Sequence, residues 1–145
     1  MDTTATALQL WVVLARAFGA VERHSRASIA RFGLSGTEFG VLEVLYHKGD
    51  LPVCDVRRRI LLESGSMTYV VDKLVSRGLV RRRASGEDRR MVLLGLTAAG
   101  RRLMAKIFPP HAAAIRRAVD GLTPRQQERA RQLLRTLGLA ADRSA

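Results

Sequence analysis

The chain has 145 residues, 47% of them hydrophobic, and carries 25 Lys and Arg against 13 Asp and Glu, a net charge of +12. That length holds one compact domain and scarcely two, and the apolar fraction excludes a chain too polar to build a core. The basic excess points to an anionic polymer or surface as partner. Of the 25 cations 22 are Arg, whose planar fork fits phosphate and guanine edges, although a GC-rich genome produces the same bias. No apolar run approaches the roughly 20 residues of a membrane span, and Asp2 stands where a signal peptide would carry cations. Cys54, the single cysteine, has no partner for an internal disulfide. The expected location is therefore the cytoplasm, at the nucleoid, with no membrane partner.

Apolar residues at Leu8, Trp11, Leu14, Phe18, Val21, Ile29 and Phe32 repeat with helical spacing from Thr6 to Phe32, and Gly33 follows as a C-cap. A stripe that long needs a partner surface, in this chain or in a second subunit. Ser35-Gly36-Thr37-Glu38 reads as a capping box opening a second helix, which bears Phe39, Leu42, Leu45 and Tyr46 and ends before Gly49. A turn at Pro52 leads to a short helix, Val53 to Leu61. The turn Leu62-Glu63-Ser64-Gly65 then separates it from a fourth, Ser66 to Arg77, ended by Gly78. Two short helices around a tight Gly-containing turn form a helix-turn-helix pattern.

After Gly78 the period changes to two short strands, Leu79–Ala84 and Met91–Leu96, around the polar loop Ser85–Arg90. Thr97 is a candidate N-cap for a long helix that Pro109-Pro110 should kink or break. Thr123-Pro124-Arg125-Gln126 starts the last helix, with Gly138 as its stop and a frayed tail beyond Leu139. The pattern predicts a mainly α fold with a small two- or three-stranded antiparallel wing: a winged helix-turn-helix in a single domain spanning 1–145.

The chemistry is concentrated in the fourth helix and the hairpin. Met67, Val70, Val71 and Leu74 make one apolar face, while Ser66, Tyr69, Lys73 and Arg77 share a second face of hydroxyls, an aromatic and cations. Such groups reach base edges and phosphates in a major groove. Arg89 and Arg90 at the hairpin tip suit a narrow minor groove, with Asp88 pinning one Arg so that the loop is preorganised. Of Arg81, Arg82 and Arg83, at most two can face one phosphate row. No catalytic constellation is visible. His24, His47 and His111 are scattered at no metal-ligand spacing, and there is no phosphate-binding Gly loop or nucleophile elbow. The expectation is a protein that is not an enzyme and has neither metal nor cofactor.

These residues resemble a known family. Thr37-Glu38-Phe39, Ser66-Met67-Thr68, Val71-Asp72-Lys73-Leu74 with Gly78-Leu79-Val80, and Glu87-Asp88-Arg89-Arg90 leading into Leu96-Thr97-Ala98-Ala99-Gly100 look like the core of MarR-type regulators. Leu10–Leu14, Leu45–Asp50, Ser64–Leu74 and Ile107–His111 are similar to the MhqR subgroup, whose members repress genes for quinone and aromatic-electrophile detoxification. The resemblance implies a DNA-binding lobe at 35–100 and dimerisation helices at 5–33 and 98–138 that intertwine in a homodimer. It implies a repressor that holds a pseudo-palindromic duplex through Ser64, Ser66, Thr68, Tyr69, Lys73, Arg77, Asp88, Arg89 and Arg90. It also implies a cleft for a small aromatic, phenolic or quinone-like effector, with Trp11, Phe18, His24, Phe39, Tyr46 and His47 as its candidates. Plain core packing accounts for those six as well. Two other readings stay open: a basic nucleoid architectural protein without effector, and a thiol-based redox sensor acting through Cys54, which otherwise reads as a buried structural thiol.

Overall fold

The structure is a computed structural model and describes residues 2–60, 66–88 and 90–145. The turn expected at 62–65, Ser64 with it, and Arg89 lie outside the described residues. The elements in chain order are α1 (Thr3–Ala30), α2 (Gly36–Lys48), β1 (Leu51–Pro52), α3 (Val53–Arg59), α4 (Met67–Ser76), β2 (Val80–Ala84), β3 (Val92–Leu96), α5 (Ala98–Ala118) and α6 (Pro124–Ser144). The chain divides into two compact units, Ser25–Ala112 and Met1–His24 with Ala113–Ala145.

The unit Ser25–Ala112 has a core of its own. The apolar face read on α4 is its centre, with Met67, Val70, Val71 and Leu74 all buried against Phe39, Val41, Leu42 and Leu45 of α2, Leu94 and Leu96 of β3, and Met104 and Ile107 of α5. The capping box opens α2 as read: the Ser35 hydroxyl accepts the Glu38 N–H at 3.1 Å and the Glu38 carboxylate accepts the Ser35 N–H at 3.4 Å. Ser66 caps α4 and Arg77 closes it, followed by Gly78 at φ 72, a left-handed conformation that L side chains rarely adopt. The sheet is antiparallel in the order β1-β3-β2, with Val80 opposite Leu96 and Ala84 opposite Val92. Its third strand falls where the sequence suggested only a turn. Leu51 and Pro52 pair with Leu94 and Leu93, and an edge position is where a strand tolerates a proline lacking its N–H.

Two helices run through residues expected to interrupt them. α5 is continuous across Pro109 and Pro110. The carbonyls these prolines leave without helical donors belong to Ala105 and Lys106, both on the exposed side, where water serves them. α6 passes Gly138 and ends at Ser144, so the expected frayed tail is helical. One Gly among Leu, Ala and Arg costs a helix only about 1 kcal/mol. α1 begins earlier than read, with the Asp2 carboxylate accepting the Thr4 N–H at 3.0 Å.

The close packing of Gly100 fixes where Leu79, just before β2, meets α5. A Cβ at Gly100 would lie 2.1 Å from the Leu79 carbonyl oxygen, and one at Gly95 would lie 2.3 Å from Asp50 Oδ1. The first obstacle is backbone and the second a side chain. Gly100→Ala is therefore expected to lower stability by about 2–3 kcal/mol and Gly95→Ala by about 1 kcal/mol, the range for forced overpacking. Thermal denaturation of the two variants checks both the losses and their order.

The unit Met1–His24 with Ala113–Ala145 is different. α6 buries no residue, and Leu8, Leu10, Trp11, Val12, Val13, Phe18, Leu133, Leu134, Leu137 and Leu139 are all exposed. By length and composition α1 is long and apolar enough to cross a membrane. That corrects the reading that no stretch approached a span: Arg16 is the lone charge between Thr3 and Val21. Cys54, read as buried, is exposed on the first turn of α3; that helix is only seven residues long and buries Val56.

Candidate nucleic-acid interface

α4 and the β2–β3 hairpin carry the candidate surface within the unit Ser25–Ala112. With Met67, Val70, Val71 and Leu74 facing the core, Thr68, Tyr69, Asp72, Lys73 and Ser76 are turned outward and exposed. Two ion pairs tie the hairpin to its surroundings. Arg82 of β2 pairs with Asp72 of α4, and Arg83 Nε meets Asp50 Oδ2 at 2.9 Å where the Asp50 carboxyl lies over Gly95. Arg81, just before them and on the same side of β2 as Arg83, is exposed. α4 and the hairpin are thus tied to each other by the Asp72–Arg82 pair as well as by the buried Val80 and Leu94.

At the hairpin tip Ser85 N–H donates to the Met91 carbonyl at 2.9 Å and Met91 N–H to the Asp88 carbonyl at 3.0 Å. The Asp88 carboxylate accepts the Arg90 backbone N–H at 3.0 Å. Asp88 therefore shapes the loop through the backbone, as an Asx side chain does when it closes a turn two residues on. The Arg90 residue itself is exposed.

Lys73 and Arg77 hold an unexpected partner. Glu38, 3% exposed, takes Lys73 Nζ on Oε1 and Arg77 Nη1 on Oε2, each at 3.3 Å, and Arg77 also donates to the Gly33 carbonyl. Burial pushes the Glu38 carboxyl up, but hydrogen bonds from Lys73 and Ser35 and the Lys73 charge outweigh it, leaving it below the usual carboxylate range. The capping box announced one role of Glu38; its second lies 35 and 39 positions away in sequence, and only its place among apolar neighbours hinted at it. Asp72, Arg82, Asp50 and Arg83 were likewise not singled out as a set.

Of the effector-cleft candidates, Trp11, Phe18 and His24 belong to the unit Met1–His24 with Ala113–Ala145, where all three are exposed. Phe39, Tyr46 and His47 belong to Ser25–Ala112. There they join two residues of α5 that the candidate set omitted. The His47 and Phe108 rings lie 4.8 Å apart, Tyr46 and Phe108 6.1 Å, and Phe39 and His111 4.5 Å. The helical spacing of Met104, Ile107, Phe108 and His111 was the available signal. His111 is buried, which lowers its pKa. Ser28 Oγ donates to the Ser25 carbonyl at 2.7 Å, so it accepts from His111 Nδ1 at 2.9 Å, and Nε2 faces Glu43 Oε2 at 3.8 Å. Burial raises the Glu43 carboxyl, against the opposing charge of His47. A surface depression of about 440 Å³ on α6, lined by Arg129, Arg131, Gln132, Leu133, Arg135 and Thr136, includes none of the six candidates.

Residues 32–91 match the sequence model of the MarR family. Over 138 residues, 95% of each chain, the sequence is 44% identical to the HTH-type transcriptional regulator MhqR of Bacillus subtilis (strain 168). The fold is similar to that of Sco3205, a MarR family transcriptional regulator from Streptomyces coelicolor solved in complex with DNA. The TM-score is 0.82 at 25% identity, covering 92% of this chain and 90% of that one. It is also similar to Bordetella bronchiseptica BpsR, whose DNA binding is regulated by 6-hydroxynicotinic acid, with TM-score 0.77 at 26% identity over 87% and 90% of the two chains.

Proposed function

Since the chain belongs to the MarR family of helix-turn-helix transcriptional regulators, we propose that it is a homodimeric repressor that works on DNA in the cytoplasm. α4 enters the major groove and the wing tip flanks it, with two α4 helices of the dimer addressing half-sites about one helical turn apart. The observation that carries this reading is the basic hairpin held to α4 by the Asp72–Arg82 pair, which presents helix and wing as one body. The exposed apolar residues of α1 and α6 are the surface a second copy covers, rather than a lipid-facing one. No reaction is assigned to the chain. Release from DNA falls to a small aromatic, phenolic or quinone-like effector, which must bind the DNA-incompetent state more tightly to act; the 6-hydroxynicotinic acid named for BpsR is a molecule of that size and kind.

Fluorescence anisotropy tests it with duplex from the region upstream of the chain's own gene and a scrambled duplex of equal length. At physiological salt the expected preference is about 1,000-fold or more. Equal affinity for the two would instead make this an architectural DNA-binding protein. Arg90→Ala should weaken binding to both duplexes and lower the slope of log affinity against log salt by about 1, as one phosphate-side cation is removed. An unchanged slope would take Arg90 out of the interface.

A further inference from the structure

The outer face of α4 has fewer free groups than its sequence suggests. Lys73 and Arg77 are held by the two oxygens of Glu38, and Asp72 is held by Arg82. Ser66 Oγ accepts the Tyr69 N–H at 3.4 Å as N-cap, and Ser76 Oγ donates to the Lys73 carbonyl at 2.9 Å. Among the described residues two side chains on the first turn have no such tie, those of Thr68 and Tyr69, and Tyr69 is 68% exposed. The N-terminal end of a recognition helix is the end that meets base edges. What stands there is a threonine methyl and a phenol ring, not the donor fork that reads guanine. The matching apolar feature of the major groove is the thymine C5 methyl, which cytosine and the purines lack.

Resting on the reading that this chain binds duplex DNA, we propose that α4 recognises thymine methyl groups through Thr68 and Tyr69. Lys73 and Arg77 are withheld from base reading by Glu38. The buried carboxylate is what distinguishes this arrangement from an ordinary basic helix: it consumes the two cations that would otherwise favour guanine, and leaves discrimination to apolar contact.

The test begins with the full-length chain and a random duplex library from which bound sequences are enriched. The preferred duplex is then rebuilt with deoxyuridine replacing each thymidine in turn, a change that removes the methyl and keeps the pairing edge. A contacted methyl should be worth about fourfold in affinity, the amount for withdrawing one such group from water, and about 15-fold when both half-sites are changed together. For Tyr69→Ala the thymidine and deoxyuridine duplexes should bind alike at one or more of those positions, whereas Tyr69→Phe should keep the difference. Tyr69 is too exposed for either change to endanger folding. If the wild-type chain prefers its selected duplex over random DNA yet ignores every deoxyuridine, or if Tyr69→Ala keeps full discrimination, the methyl reading is overturned while DNA binding stands. If duplex is retained but no sequence is enriched, the specific-regulator reading falls with the methyl reading, and if no duplex is retained, DNA binding falls as well.

Discussion

Replacing Glu38 with Ala should destabilise the unit Ser25–Ala112 by about 2–3 kcal/mol. The change removes one side of the capping box on α2, worth about 1 kcal/mol, and the acceptor of two charge-assisted hydrogen bonds, each worth about 1.5–3 kcal/mol when fully buried. Lys73 and Arg77 are 46% and 34% exposed in their side chains, so water takes over part of what the carboxylate gave and the second contribution is discounted accordingly. Glu38→Gln keeps an acceptor for the Ser35 N–H but drops the charge, and should lose about 1–2 kcal/mol. The sign of the pH effect follows from the depressed pKa. A carboxyl held below its unfolded value near 4.5 contributes stability that is complete above that value and is lost as pH falls through the folded pKa. Denaturant unfolding of wild type and Glu38→Gln between pH 7 and pH 3 should therefore show curves that converge below about pH 4.5. Parallel curves would mean that the ion pairs contribute nothing.

Charging the exposed stripe of α6 should have the largest effect on assembly. Leu134 and Leu137, 48% and 39% exposed, share a helical face in a unit whose α6 buries nothing. If a second copy covers that face, Leu134→Glu with Leu137→Glu places two like charges in an apolar interface and should convert a dimer into monomers at micromolar concentration. Sedimentation equilibrium reads this directly. Duplex affinity should fall by about 100-fold or more, since two linked reading heads gain that much over one. The unit Ser25–Ala112 has its own core, so its thermal transition should persist. A variant that sediments as wild type would remove this face from the dimer.

The contrast between these two residue sets shows what the sequence could disclose. The inner face of α4 was legible because Met67, Val70, Val71 and Leu74 repeat with the helix itself. The caps Ser35–Glu38 and Thr123–Gln126 were legible because donor and acceptor lie three residues apart. Pro109, Pro110 and Gly138 misled because local breaking tendency was weighed without knowing that the affected carbonyls face water or that strong helix formers flank the glycine. β1 was missed because two residues carry no period, and only pairing with β3 makes them a strand. In the candidate interface the failure was of range. Lys73 and Arg77 carry the charge expected of DNA contacts, and nothing near them in sequence reveals that Glu38 already holds both.

That arrangement separates two demands that are often in conflict. On α4 the positions that secure the fold are the inner apolar face and the cations bound to Glu38. On the proposal made above, the positions left to choose a target are Thr68 and Tyr69, whose side chains have no partner among the described residues. Surface changes at such positions typically alter stability by no more than about 0.5 kcal/mol. A duplicated copy of this regulator can accordingly drift toward a new operator one residue at a time, each intermediate remaining a folded protein on which selection can act.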